Sequence, residues 1–381
     1  MDCVDVAIVG AGPVGAALAA SLVPAGRSVR VLEARAAPSR DARTLALSHA
    51  SRERLEAAGG WPAAGATPIT EIHVSQKGGP GRTLITAAEQ GLPALGYTVA
   101  YAALEEALEA RLEALGARVA WGAACETIEL GMQAARLRLA GGETLEARLL
   151  VLADGGANAR RIPGLAYSEK DYGQVAITGP VHADRPHRGR AYERFTAKGP
   201  VALLPVGERF ALVWTATPAE AQRILALDDA AFLAELQAHF GDRAGRFVAA
   251  GPRAAFPLKL RRINTPIALR TVIAGNAAQA MHPIAGQGLN IGLRDAATLA
   301  SLLAADPACD PGSEPLLEAY REARRRDAGR GVAFTDFLVG AFMDERRFVS
   351  WGRGAALALL DLLPPARRWL AGRMIDGAPA P

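Results

Sequence analysis

The chain has 381 residues, whereas a single domain usually contains about 100 to 200, so two fused units are expected. Hydrophobic residues make up 50% of it and charged residues 22%, which excludes a disordered or fibrous protein, and the formal charge of +4 comes without the clustered basic face that nucleic-acid binding requires. Three widely separated cysteines, Cys3, Cys125 and Cys309, argue against a disulfide framework and for a reducing compartment, so we expect a cytoplasmic protein.

The opening of the chain predicts a buried strand, a tight turn and a helix. Residues 6–26 contain no charge, as a membrane span or signal peptide would. However, glycine and proline interrupt this apolar run, and Asp2 and Asp5 stand where a signal peptide has basic residues. We therefore predict a βαβ unit made of a strand at Val4–Val9, a helix at Pro13–Ala25 and a strand at Ser28–Leu32.

The next part of the chain combines sheet elements with one long helix. Apolar residues at helical spacing predict a helix at Val99–Leu115 that returns the chain to the sheet. Short strands are expected within Val119–Leu139, around a turn at Gly131. An apolar run at Arg148–Ala153 predicts a further buried strand.

A second unit is expected to be inserted after this strand. From Gln174 to Phe256 the pattern favours antiparallel strands near residues 175, 192, 202 and 211, with a helix at Ala230–Phe240. Thr271–Gly275 again has the composition of a buried strand, which indicates that the first unit resumes there. Since the chain after Gly286 is mainly helical, the expected class is α/β with an inserted antiparallel sheet and a helical C-terminus.

The segment VGAGPVG places Gly10, Gly12 and Gly15 between the first strand and the first helix. Glycines at such a turn let the backbone approach a pyrophosphate, which the positive end of the helix attracts. Glu33, at the end of the following strand, can accept hydrogen bonds from a ribose. This arrangement favours a dinucleotide site over a plain glycine-rich turn, although it does not distinguish FAD from NAD.

Two later segments also suit a ligand site. In LLVLADGG, Asp154 and Gly155 follow a strand, where the carboxylate could face a ligand crevice or form an ordinary Asp-Gly turn. In TVIAGNAAQAMHPIAGQGLNIGLRD, Gly286 and Gly288 precede a helix predicted to start near Leu289, whose free amides and dipole would stabilise negative charge. The alternative for this second segment is a loop that needs glycine for its turn.

The chain resembles the FAD-dependent single-component aromatic hydroxylases, which share the p-hydroxybenzoate hydroxylase fold. Four segments carry the resemblance in the family's order and span nearly the whole chain: VGAGPVG with Glu33, DARTLALS around Arg43, ADG at Ala153–Gly155, and GNAAQAMHPIAGQGLNIGLRD. Within the family, GNAAQ followed by HPIAGQG, and ERFTAKGP at Glu193–Pro200, look most like the ubiquinone-biosynthesis branch that hydroxylates polyprenyl methoxyphenols.

The resemblance implies a Rossmann-type (GR2-like) FAD-binding domain with an inserted antiparallel-sheet substrate domain. The FAD-binding domain would comprise residues 1–70, 101–170 and 266–330, the substrate domain residues 71–100 and 171–265, and the C-terminal helices residues 331–381. FAD contacts are implied for Gly10, Gly12, Pro13, Gly15, Glu33, Arg35, Arg43, Asp154, Gly155, Asn276, Pro283, Gly286, Gln287, Gly288, Leu289 and Asn290. Of these, the glycines of the first turn would hold the pyrophosphate, and Pro283 through Asn290 would border the isoalloxazine.

Three departures from the family pattern accompany the resemblance. Asn276 stands where the family usually has Asp, so a charge is lost although the amide can still bond a hydroxyl. Asn158 replaces the Ser expected after the Asp-Gly pair, with Arg161 at the place of the usual arginine, which affects how NAD(P)H is received. Tyr101 stands where many relatives carry a polar FAD contact, and that contact is left unassigned.

The resemblance further implies that NADH or NADPH reduces the flavin, and that O2 then hydroxylates a phenolic ring. No metal is expected, because the histidines form no HxxxH or HExxH pair. No catalytic residue is assigned: His282 could transfer a proton or serve a structural role, and Gln287 is a positioning candidate. Substrate contacts, or plain core positions, are expected on the inserted sheet at Phe195, Leu203, Pro205, Trp214 and Phe256.

The C-terminal segment is basic and amphipathic. Its basic and aromatic residues are Arg353, Arg367, Arg368, Arg373, Trp351 and Trp369. The segment could rest on a membrane surface or a partner enzyme, or it could form a helix pair packed on the protein's own core. Two other functions stay open: a flavoprotein reductase or dehydrogenase of the same fold acting on a prenylated substrate, and a non-catalytic flavin-bearing scaffold in a ubiquinone-biosynthesis complex.

Overall fold

A computed structural model describes residues 3–39, 41, 43–78, 81–196, 199–280, 287–325 and 361–376. Within these residues the strands form three sheets. The strands are β1 (Cys3–Val9), β2 (Val29–Glu33), β3 (Thr44–Ser48), β4 (Thr67–Ile69), β5 (Glu71–Gln76), β6 (Arg82–Thr86), β7 (Gly96–Ala100), β8 (Val119–Trp121), β9 (Cys125–Leu130), β10 (Ala135–Leu139), β11 (Thr144–Leu152), β12 (Tyr167–Ala183), β13 (Arg190–Phe195), β14 (Val201–Val206), β15 (Arg209–Ala216), β16 (Phe247–Ala250), β17 (Ala254–Ile263), β18 (Ile267–Ala268), β19 (Thr271–Ile273) and β20 (Gln279–Ala280).

The described helices cover one or both faces of these sheets. They are α1 (Pro13–Leu22), α2 (His49–Ala58), α3 (Tyr101–Ala114), α4 (Pro218–Leu225), α5 (Asp229–Phe240), α6 (Gln287–Ala305), α7 (residues 314–325) and α8 (Pro364–Asp376). No helix among the described residues is long and apolar enough to cross a membrane.

The first sheet has β1 at its centre, paired in parallel with β2 on one side and β11 on the other. Its order is β18-β19-β11-β1-β2-β8, with β9 and β10 attached through β11. Alternate residues of β1 enter different cores: Val6 and Ile8 pack with helices α1, α3 and α6, whereas Ala7 and Val9 pack with β9 and β10. A strand covered on both faces needs a continuous apolar run, which β1 has.

The second sheet contains nine strands, mainly antiparallel, in the order β20-β17-β12-β15-β14-β13-β5-β6, with β16 beside β12. Helices α4 and α5 cover one of its faces, and the core there contains Tyr192, Leu203, Phe210 and Trp214. Because side chains alternate along a strand, the residues between these point to the opposite face.

The opposite face of the second sheet lies towards the first unit. Ile72 of β5 points to this side and packs in a cluster with Ala50 of α2 and with Ala371 and Ile375 of α8. The small third sheet, β3-β7-β4, connects the two units, because the buried hydroxyl of Thr98 on β7 donates a hydrogen bond to a carbonyl of β14.

The structure confirms the α/β fold and refines the predicted elements. Helix α1 ends at Leu22 rather than Ala25, because the chain turns there and Gly26 adopts a φ of +79°. Helix α4 was not predicted, although Thr217 caps it and Pro218 opens it. The strand expected near residue 175 is the long β12, which begins at Tyr167.

Candidate active site

The glycine-rich turn joins β1 to α1 and leaves a space beside Gly12. A Cβ on Gly10 would lie 2.6 Å from the carbonyl carbon of Ala153, and one on Gly15 would lie 2.0 Å from the Gly10 oxygen. Gly10 therefore permits close contact with the end of β11, and Gly15 permits close contact between α1 and the turn that follows β1. Among the described residues, a Cβ on Gly12 would instead meet only the Tyr101 hydroxyl, at 3.6 Å. The opening beside Gly12 lies at the N-terminus of α1, where helix amides attract anions.

Glu33 lies next to this turn, as the sequence predicted. Its carboxylate accepts a hydrogen bond from the Ala11 amide at 2.9 Å and another from the Arg35 amide at 3.0 Å. Burial alone would raise the pKa of Glu33, but hydrogen bonds from Arg35 and Ala11 hold that pKa below its usual value. Glu33 is thus an ionised acceptor at the end of β2, and the guanidinium of Arg35 is bound between it and Glu105.

Asp154 and Gly155 lie beside the same turn, since the Asp154 Cα would be 2.8 Å from a Cβ on Gly10. The Asp154 carboxylate accepts hydrogen bonds from the Gly156 amide and from both the backbone and side-chain nitrogens of Asn158. Asn158, which stands where serine was expected, therefore fixes the Asp154 side chain. In this arrangement Asp154 forms a turn, and a Cβ on the neighbouring Gly155 would meet no atom of the described residues within 4 Å.

Arg261, which the sequence analysis did not single out, links two of the predicted segments. Its guanidinium lies 4.8 Å from the Tyr167 ring centroid and donates to the carbonyls of Gly155 and Asn276. Asn276 is exposed, and its side-chain oxygen would be 4.0 Å from a Cβ on Gly288. The Asp-Gly turn, Asn276 and the start of α6 are therefore neighbours.

Helix α6 begins at Gln287, two residues before the predicted start, and packs closely on α1. A Cβ on Gly292 would lie 2.7 Å from Val14, and one on Gly275 would lie 3.0 Å from the same side chain. The Asn290 side chain accepts from the Ser48 amide at 2.8 Å and donates to the Ala46 carbonyl at 3.1 Å, which attaches α6 to β3. The N-terminal ends of α1 and α6 are thereby brought to the same region.

Arg43 and Tyr101 line the opening beside Gly12. The Arg43 guanidinium lies 5.4 Å from the Tyr101 ring centroid and pairs with Asp41. Burial raises the pKa of the Tyr101 hydroxyl, so Tyr101 is a neutral hydrogen-bonding group next to the turn. Its position fits the contact that the sequence left unassigned. Of the predicted site residues, His282, Pro283 and Gly286 lie outside the described residues.

The predicted substrate contacts divide between the two faces of the second sheet. Leu203 and Trp214 belong to the core under α4 and α5, and Pro205 shares their side of β14. Phe195 and Phe256 point to the opposite side, towards the first unit, where Phe256 is 42% exposed. Of the five predicted contacts, Phe195 and Phe256 are therefore the two that face away from the core under α4 and α5. That side also carries Glu193, which the sequence analysis did not identify.

The comparisons with known proteins agree with this geometry. A family model described as "FAD binding domain" matches residues 3–335. Ubiquinone hydroxylase UbiL of Rhodospirillum rubrum is 37% identical over 376 residues, covering 96% of this chain and 87% of the relative. The 3-demethoxyubiquinol 3-hydroxylase of Escherichia coli is 32% identical over 311 residues, covering 78% and 79%. Crystalline p-nitrophenol 4-monooxygenase PnpA of Pseudomonas putida DLL-E4 has the same fold, with a TM-score of 0.80 at 18% identity and full coverage of both chains.

Proposed function

The chain belongs to the FAD binding domain family and is an FAD-dependent aromatic hydroxylase, and we propose that it hydroxylates a polyprenylated phenol of ubiquinone biosynthesis. The observation that carries this substrate proposal is the 37% identity to a ubiquinone hydroxylase over 96% of the chain. An inner sheet face with both apolar and polar residues suits a phenolic ring with a lipid tail.

The residues of the site fit FAD. The space beside Gly12 is one that a side chain would fill, as expected where a pyrophosphate meets a helix N-terminus. Glu33 provides an ionised acceptor for ribose hydroxyls, and Arg43 and Tyr101 lie next to the same space. We propose that Asn276 and residues 287–290 of α6 contact the flavin end. When bound, FAD would accept hydride from NADH or NADPH and activate O2.

The protein's own contribution is to position and to stabilise charge. The N-terminal amides and dipole of α6 are suited to hold negative charge on a reduced ring system. The apolar residues of the second sheet can exclude water from the reacting atoms. Gln287 is buried at the first turn of α6, and we predict that it orients the ring.

Isotope labelling tests the proposed reaction. Purified holoenzyme is supplied with NADH or NADPH, a geranylated 2-methoxyphenol and ¹⁸O2, and the product mass is measured. Incorporation of one labelled oxygen is expected. Unlabelled product with consumption of the nicotinamide would identify a reductase or dehydrogenase, and a lack of any nicotinamide oxidation would favour the scaffold. The Gly12→Val variant, which we expect to lack FAD, provides the control for activity that does not need the flavin.

We also propose that α8 and the residues before it rest on a lipid surface, where a prenylated substrate would be found. One side of α8 is docked, since Ala371 and Ile375 are buried in the cluster with Ile85. On α8, Trp369 is 60% exposed, and Leu362, two residues before the helix, is 76% exposed. Arg367 is already paired with Glu89, whereas exposed Arg368 is available to anionic headgroups.

Vesicle sedimentation tests this lipid contact. Holoenzyme is expected to sediment with vesicles that contain anionic phospholipid, and a Leu362→Ser, Trp369→Ser double variant should sediment several-fold less. Val248→Ser changes another exposed apolar residue, 58% accessible, and serves as the matched control. Equal sedimentation of the double variant and the control would overturn the lipid proposal.

A further inference from the structure

Glu193 points to the face of the second sheet that lies towards the FAD-binding part of the chain. Its neighbours on β13 point the other way: Tyr192 packs against Phe240 with ring centroids 5.7 Å apart, and Arg194 donates to the Ser75 hydroxyl. Alternation along the strand therefore directs Glu193 to the inner face. In register it lies between Ala202 on β14 and Val74 on β5.

The positions around Glu193 provide no partner for its charge. The residues in register with Glu193 on the neighbouring strands are Ala202 on β14, Val213 on β15 and Thr178 on β12, and none of them is ionisable. Phe195 lies two residues after Glu193 on β13 and is buried on the same side of the sheet. Across the part of the chain that the structure describes, the Glu193 carboxyl makes no hydrogen bond and no ion pair.

Burial has a large effect on this carboxyl. Glu193 is partly accessible but lies so deep in the protein that burial raises its pKa to about 7. No ionisable side chain among the described residues contributes to that shift; the nearby His73 and Arg194 belong to the opposite face. The group can therefore exchange a proton near neutral pH, as a general base requires.

A carboxylate that lies this deep without a partner for its charge destabilises the folded chain, so a glutamate here needs a reason other than packing. We propose that Glu193 is the group that receives the hydroxyl proton of the phenolic substrate. The inference rests on the proposed function, since it assigns a residue to the activation of that phenol.

The proposed step moves one proton. The phenol O–H bond breaks, the proton bonds to a carboxylate oxygen of Glu193, and the electron pair stays on the phenol oxygen. The ring carbons ortho and para to that oxygen become more electron-rich, which favours attack by an electrophilic oxygen. After oxygen transfer, the ring carbon that gained oxygen releases its hydrogen as a proton to water, which restores the aromatic ring, and Glu193 returns its own proton to the phenolate oxygen of the product.

The first test compares Glu193→Gln with Glu71→Gln in the FAD-loaded enzyme. Glu71 is a carboxyl of the adjacent strand that pairs with Arg190 and makes a matched control. For wild type and the control, kcat/KM should decrease as pH falls through about 7, since Glu193 then becomes protonated. Glu193→Gln should lose about 10²- to 10⁴-fold at pH 8 and show no such decrease, while it retains FAD. Glu193→Asp should recover part of the loss.

The second test needs no turnover. The ultraviolet spectrum of a geranylated 2-methoxyphenol is recorded on oxidised holoenzyme at pH 8 without nicotinamide. Wild type should bind it as the phenolate, and Glu193→Gln should bind it as the neutral phenol. Identical spectra and pH profiles for the two proteins would overturn the role of Glu193. If wild type bound phenolate but incorporated no labelled oxygen, the proposed function would fail while Glu193 would still act on the phenol.

Discussion

Glu193→Gln should stabilise the protein, and the gain should depend on pH. The carboxyl has a pKa of 4.5 when exposed and about 7 in the folded chain. This difference corresponds to about 3 kcal/mol, because one pKa unit is worth about 1.4 kcal/mol. The glutamine variant keeps the size of the side chain but carries no charge at any pH.

The direction of this pH dependence follows from whether the carboxyl ionises at a lower pH in the folded or in the unfolded chain. Below pH 4.5 the carboxyl is neutral in both states and has no pH-dependent effect. Between pH 4.5 and about 7 the unfolded chain ionises while the folded chain stays neutral, so wild type loses stability as the pH rises. Above about pH 7 the full penalty of about 3 kcal/mol is present, and the variant avoids it.

Chemical denaturation at two pH values measures this effect. The free energy of unfolding of wild type and variant is determined in urea at pH 5 and pH 8 with equal, saturating FAD. The stabilisation by glutamine should be about 2 to 3 kcal/mol larger at pH 8 than at pH 5. A difference that is the same at both pH values would show that Glu193 is not buried as described.

Four further substitutions test the cofactor site and the core. Gly12→Val should fold, because its side chain enters an open space, but the absorption spectrum of the purified protein should show no bound FAD. Gly15→Val should fail to fold, because its Cβ would meet the Gly10 oxygen at 2.0 Å. Glu33→Ala should weaken FAD binding by about 1.5 to 3 kcal/mol in fluorescence titration, since a charge-assisted hydrogen bond is lost; unchanged affinity would contradict the ribose contact. Arg270→Ala should destabilise the chain by about 1 to 3 kcal/mol in thermal unfolding, because the carboxylate of Asp310 and the carbonyls of Met132 and Arg148 lose a shared donor.

The parts of the site that depend on local sequence were predictable. The spacing of Gly10, Gly12 and Gly15 from a strand and a helix placed the turn correctly, since these residues are close along the chain. Glu33 was found for the same reason. The departures at Asn158 and Tyr101 were visible in the sequence, but their contacts with Asp154 and with the space beside Gly12 depend on tertiary packing.

The inner face of the second sheet was not predictable from pattern alone. Both faces of that sheet are covered, so the period of two does not say which residues meet the substrate. Leu203 and Trp214 therefore could not be separated from Phe195 and Phe256. Glu193 was overlooked because a glutamate between Tyr192 and Arg194 looks like an ordinary surface residue of an alternating strand.

The three strands β13, β14 and β15 follow one another along the chain from Arg190 to Ala216. All the inner-face residues that they present are therefore encoded in one uninterrupted stretch, whereas the proposed FAD contacts are gathered from segments before and after it. Exchange of this stretch between related enzymes could alter which phenols are accepted and leave the nucleotide-holding parts as they are. Selection for new substrates can then proceed in a block of the gene that encodes none of the proposed FAD contacts.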